Sequence, residues 1–184
     1  MVKKILIGIG VLLVLILGFI AFYTSWEKKQ NPLATVTYQS NGARIEIVYS
    51  RPSKKGRLIF GEEDENPLLQ YGVYWGTGAN DATTLESNTT INFGGKELKA
   101  GKYQLYSIPG KETWQIILNS DWDKWSGIEP DHNLDVLKTE VTAINNAPEQ
   151  EQLLISFDQA DRSVNTTLNL RWDHTVVKVP ILVK

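Results

Sequence analysis

Four cations fall within seven residues where an alternating strand gives out: Arg51, Lys54, Lys55 and Arg57. Arginine supplies planar paired donors and lysine a mobile charge, so the cluster suits a phosphate, a sulfate or a carboxylate. The simpler reading is a solvated hairpin loop in which Arg57 pairs with the acidic run Glu62, Glu63, Asp64 and Glu65. That run has oxygen ligands of the kind calcium takes, but a block of like charge is the ordinary composition of a solvated loop tip. Asp121 and Asp123 begin like a calcium loop, yet Trp125 at the fifth position and Gly127 at the seventh break the required spacing. Gly76-Thr77-Gly78-Ala79-Asn80 has closely spaced glycines without the Gly-Lys-Ser/Thr ending or the helix of a phosphate loop. A tight turn or bulge accounts for it, with Asn80 bonding local backbone.

Six tryptophans raise carbohydrate binding, because an exposed indole stacks against a sugar face. Trp75, Trp122 and Trp125 lie in or beside loops, whereas Trp114 and Trp172 alternate with apolar strand residues and read as core. Core or edge packing is the competing reading for all of them. No serine has the setting of a nucleophile, and no carboxylate pair has a spacing that singles it out. With two histidines far apart and no cysteine, a metal site and a thiol nucleophile are unsupported, and no cofactor is expected. The candidate ligand-binding set is Arg51, Lys55, Arg57, Trp75, Thr77 and Asn80, a recognition surface built from two loops.

These loops need a scaffold and a location. The net charge is -2, and without Lys3 and Lys4 the remainder carries 17 basic against 21 acidic side chains, which argues against nucleic acid as a partner. Ile5 to Tyr23 is an uncharged run of 19 residues that spans roughly 28 Å as a helix, close to the ~30 Å hydrocarbon core. Tyr23 and Trp26 stand where an aromatic belt belongs, no small-x-small cleavage site follows, and the amino terminus with Lys3 and Lys4 gives about three positive charges before the span against Lys28 and Lys29 offset by Glu27 after it. The expectation is an uncleaved anchor in residues 1–26, contacting the bilayer through residues 5–23, then a polar linker in 27–34. The amino terminus is then cytoplasmic and the domain of residues 35–184 lies outside, in the periplasm or at the cell surface.

That domain reads as strands. Val36 and Tyr38 lead to Asn41-Gly42, a strong hairpin signal, and Ala43 to Ser50 returns with alternating apolar residues. Further strands are expected over Arg57–Phe60, Tyr71–Trp75, Thr83–Phe93, Lys96–Leu98, Tyr103–Ile108 and Trp114–Asn119. Asp135–Ile144 reads as a strand with room for one helical turn before it. Clean alternation through Leu153–Phe157, Thr166–Trp172 and Val177–Val183 completes the set, with a turn at Asp173-His174. The fold class is all-β, an antiparallel sandwich or partly open barrel-like domain preceded by one transmembrane helix.

The chain also resembles a family of exported bacterial proteins, the domain of unknown function DUF2911, over nearly all of residues 32 to 184. The resemblance is carried by Tyr49-Ser50-Arg51-Pro52, Lys55-Gly56-Arg57, Ile59-Phe60-Gly61, Tyr71-Gly72, Trp75, Thr77-Gly78-Ala79-Asn80, Ala82-Thr83, Ala100-Gly101-Lys102-Tyr103, Ile108-Pro109-Gly110 and Trp114. It implies an exported, mostly β domain and supplies no catalytic residues. Gly76 stands where the family usually has arginine, and an acidic segment precedes Gln70-Tyr71. If the family's arginine works with Arg51 and Arg57, the first departure weakens any anion site here. The function expected is a non-enzymatic binding or interaction module of the cell envelope, taking a glycan, an anionic ligand or a protein partner. The alternatives are an envelope carbohydrate hydrolase and a structural assembly partner.

Overall fold

The computed structural model describes residues 2–158 and 165–183. Among the described residues an amino-terminal helix, α1 (Val2–Gln30), leads into thirteen strands: β1 (Leu33–Ser40), β2 (Ala43–Ser50), β3 (Phe60–Gly61), β4 (Leu69–Gln70), β5 (Thr84–Ser87), β6 (Ile91–Phe93), β7 (Lys96–Leu98), β8 (Gly101–Ile108), β9 (Thr113–Asn119), β10 (Asp135–Ile144), β11 (Gln150–Phe157), β12 (Asn165–Asp173) and β13 (Thr175–Val183). The main sheet runs β1-β2-β5-β8-β9-β10-β13-β12-β11, with β6 on β13 and β7 on β6. All of its pairs are antiparallel, while β3 and β4 form a separate parallel pair.

The sheet curls until its first and last strands nearly meet, so the barrel-like alternative is the one adopted. The Leu153 amide donates to Pro52 O at 3.0 Å and the Lys54 amide to Glu151 O at 2.7 Å. The Tyr49 hydroxyl bridges the same seam, donating to Ile155 O at 3.2 Å and accepting from Ile155 N at 2.9 Å. Alternation drives this arrangement: Ile45 and Ile47 on β2, Leu168 and Leu170 on β12, and Val177, Val179 and Ile181 on β13 all point into one buried core. The β1–β2 turn has positive φ at both Asn41 and Gly42, the geometry that matches strand twist in a two-residue hairpin.

Four expectations need correction. The helix continues through Gln30, because Glu, Lys and Gln are good helix formers and nothing stops it before Pro32. Only Asn31 and Pro32 separate it from β1. The strand expected over Arg57–Phe60 is reduced to Phe60–Gly61, and the one expected over Tyr71–Trp75 does not form: the chain pairs earlier, at Leu69–Gln70, and Trp75 makes only an isolated bridge to Ser107. Positive φ at Lys55, Gly56, Asn66 and Gly72 turns the chain too often there for a longer ladder. The run expected over Thr83–Phe93 divides into β5, which pairs with β2 and β8, and β6, which crosses to β13. Finally, Glu62–Glu65 does not pair with Arg57: Glu63–Glu65 forms a 3-10 turn closed by a reciprocal Glu62–Glu65 capping box. The turn expected before β10 is present at His132–Leu134.

The span Leu6–Trp26 of α1 is long and apolar enough to cross a membrane, and none of it is buried against the domain. A signal sequence has the same character.

Candidate functional site

The connection after β2 folds on itself before it reaches the core. Lys55 and Gly56 adopt φ of 51° and 70°, reversing the chain so that Arg57 Nε donates to Lys54 O at 2.9 Å and Arg57 Nη2 to Ser53 O at 2.7 Å. A guanidinium has five N–H donors, so this leaves Arg57 with donors to spare at the surface. Lys54 is spent elsewhere, on Asp173 at 2.7 Å and Glu149 at 2.8 Å. Those two hydrogen bonds, that to Asp173 first, hold its ammonium well above the ordinary lysine range.

Beneath this loop four aromatic rings meet. Trp75 stacks on Trp172 with centroids 5.8 Å apart and planes at 26°, and Phe60 stands edge-on to Trp114 at 4.8 Å. Trp75 is only 6% exposed; its backbone exchanges two 2.9 Å hydrogen bonds with Ser107, and its indole N–H donates to Gly78 O at 3.2 Å. The chain then passes through Gly76, where an added Cβ would lie 2.4 Å from Ser126 O. Thr77 is fully buried with φ of 53°, and its hydroxyl lies 2.8 Å from that of Ser107. Asn80, at φ of 62°, accepts the Ser126 amide at 2.8 Å through its own carbonyl.

A cleft of about 400 Å3 opens between these pieces. Arg57 and Leu68 line one side, Gly76, Gly78 and Ala79 a second, Ser126 and Gly127 a third, with Trp75 and Trp172 at the base. Of the six candidate residues, Arg57 and Trp75 line the cleft. Thr77 and Asn80 shape its wall from inside. Arg51 pins the barrel seam, with Nε donating to Leu153 O at 3.2 Å, and Lys55 reaches Gln30 Oε1 at 2.6 Å. The expected recognition surface is thus one cationic rim residue over a buried aromatic base, with the other four in supporting positions.

The cleft lies inside a known family boundary. A family model described as "Protein of unknown function (DUF2911)" matches residues 31–181. The chain belongs to the DUF2911 family. Comparison with curated proteins and with solved structures finds no match. The DUF2911 match starts at Asn31, where α1 ends, so it takes in every residue of the cleft and leaves out the helix.

Within this DUF2911 domain the glycine at position 76 has a visible cause. Ser126, through its carbonyl oxygen, Cβ and Cα, occupies the space a side chain at position 76 would need. The 120–134 connection that bears Ser126 is fastened by a polar cluster with no sequence signal of its own. Tyr74 OH, pushed up to about 12 by burial, lies 3.1 Å from Ser126 O and 3.2 Å from Ile128 O. Tyr106 OH donates to Asp135 Oδ2 at 2.8 Å and lies 2.9 Å from His132 Nδ1, while Asn119 Nδ2 donates to Asp135 Oδ1 at 2.8 Å. Burial first, and the Asp135 hydrogen bond second, hold the Tyr106 phenol far above its ordinary range. A phenol so firmly protonated is a fastening for the loop and a poor nucleophile. Among the described residues no group of three or more His, Asp or Glu could hold a metal ion.

Proposed function

We propose that this DUF2911 chain is a membrane-anchored, extracytoplasmic binding module of the cell envelope whose ligand sits in the cleft above Trp75 and Trp172. The observation that carries the reading is the makeup of that cleft: an aromatic base, backbone-rich glycine walls and Arg57 at the rim. Its volume lies within the range of about 300–1,000 Å3 occupied by small-molecule sites. A ligand with a ring or chain to lay on the apolar base and a phosphate, carboxylate or sulfate to meet Arg57 matches this chemistry. A glycan hydrolase is less well supported, because among the described residues no carboxylate lines the cleft and a glycosidase needs two. The amino terminus with Lys3 and Lys4 before the span, against Lys28 and Lys29 offset by Glu27 after it, supports an outside position for the domain.

The test is a thermal-shift titration of the full chain in detergent against envelope glycans and anionic amphiphiles. Binding to the native state raises its midpoint by mass action. The expected result is a saturable shift with at least one anionic ligand, lost in Arg57→Ala while the unliganded midpoint stays within a degree or two. Trp75→Ala cannot serve as the silent variant, since its ring is core. A ligand response unchanged in Arg57→Ala would refute the assignment of the rim.

A further inference from the structure

We infer that the face of the domain from which α1 leaves rests on the lipid bilayer, so that the cleft opens at headgroup level. This rests on the anchored reading above. The apolar span of α1 ends at Trp26, and the helix continues to Gln30, about 6 Å farther at 1.5 Å per residue. That distance matches one headgroup layer, the difference between a ~30 Å core and a 40–45 Å bilayer shared by two sides. Gln30 is held to the domain by Lys55 at 2.6 Å, and the Pro32 carbonyl accepts the Arg51 amide at 2.9 Å. With two residues between helix and strand, Leu33 lies no more than about 11 Å of chain from Gln30. Such a junction leaves the domain little freedom to stand away from the membrane.

The side chains around the junction suit that position. Asn31 lines the cleft together with Leu68 and Gly127, and Leu33 lines a neighbouring groove together with Trp122 and Trp125. Leu33, Leu58, Leu68, Trp125 and Ile128 are 64%, 44%, 42%, 46% and 57% exposed. Leu58 and Leu68 are joined by a 2.9 Å backbone hydrogen bond, and Trp125 and Ile128 by one of 3.0 Å. Two apolar groups therefore flank the helix exit on separate loops. The opposite end of β1 is different in kind: the eight-residue strand carries the chain roughly 26 Å away to a turn surrounded by Gln39, Ser40, Asn41 and Arg44. Exposed tryptophan and leucine beside a membrane helix belong to the interface, where apolar bodies sink and polar tips remain wet. The acidic Glu62–Glu65 turn follows close on Leu58, so the attraction is apolar and does not require anionic lipid.

The chain has no cysteine, so single labels are unambiguous. Leu68→Cys, Ile128→Cys and, at the far turn, Asn41→Cys are spin-labelled in the full chain in phosphatidylcholine vesicles at low protein content. Collisions with lipid-soluble oxygen and with a water-soluble nickel chelate are then compared. The expected result is an oxygen-to-nickel ratio several-fold higher at 68 and 128 than at 41. Equal ratios at all three positions overturn the inference, as does shielding of 68 and 128 from both reagents, which means protein covers them. A chain stripped from the vesicles by alkaline carbonate defeats the anchored reading itself, a result separate from both.

Discussion

Gly76 is a residue whose space is tightly determined by a part of the chain fifty positions away. An added Cβ would meet Ser126 O at 2.4 Å and Ser126 Cβ at 2.7 Å, both belonging to the wall of the cleft. Backbone cannot rotate out of the way as a flexible side chain can, so Gly76→Ala must push the 120–134 connection outward. The expected cost is about 1–3 kcal/mol of overpacking, with ligand response lost as Ser126 and Gly127 move. Chemical denaturation of the full chain in detergent reads the first effect, and an unchanged midpoint would show that the loop yields freely. Position by position, the sequence reveals part of this site. Arg57 is legible as a cation in a turn-rich loop, and Asn80 as a residue suited to unusual backbone geometry. Trp75 is legible only as a loop-borne tryptophan with core packing as the competing reading, because its burial comes from Ser107 and Trp172, which lie far along the chain. Ser126 and Gly127 carry no local signal, since their role depends on where Tyr74 holds them.

Among the elements, the seam between β2 and β11 decides whether the sheet behaves as a closed body. Tyr49 supplies the buried link, one hydroxyl serving both the amide and the carbonyl of Ile155. Tyr49→Phe keeps the ring and strands those two groups, for an expected loss of about 1–3 kcal/mol. Hydrogen exchange should show the Ile155 amide losing protection well before the amides of β12 and β13. Unaltered protection at Ile155 would mean that the Pro52–Leu153 and Lys54–Glu151 backbone bonds close the seam unaided. The strands themselves are legible wherever alternation is long: β2, β12 and β13 have one apolar face each, and Asn41-Gly42 marks its turn by composition. The crossing from β5 to β6 is not legible, because Ser87 to Thr90 looks like more strand. What divides it is Asn88, whose side chain is drawn off to the Arg44 amide at 2.7 Å and to Gly42 O at 3.0 Å. Partner choice of that kind is a long-range property, and local periodicity does not encode it.

For the molecule as a whole, the titratable groups that depart upward from their ordinary values share one direction, and this sets its stability against alkali. Tyr74 is pushed up to about 12 by burial, Tyr71 and Tyr106 are raised mainly by burial, and Lys54 is raised by its hydrogen bonds to Asp173 and Glu149. In the unfolded chain the phenols release their protons near about pH 10 and the lysine near about 10.4. Above that point the unfolded state binds fewer protons than the native one, so stability falls as pH rises. The contribution of these groups is complete below about pH 10 and is lost progressively as pH climbs through the folded-state values. Denaturation midpoints should therefore be level from about pH 8 to 9.5 and decline above about pH 10. Tyr106→Phe should flatten the decline, since it removes one of the groups that drive it. Tyr74 and Tyr106 both fasten the connection that bears Ser126, Gly127 and Ile128, so the cleft and this connection should loosen over the same pH range. A labelled Ile128→Cys chain tests that coupling: its label should gain mobility above about pH 10, before the label at Asn41→Cys does. Equal change at both ends would place the alkaline weakness in the sheet and not in the loop.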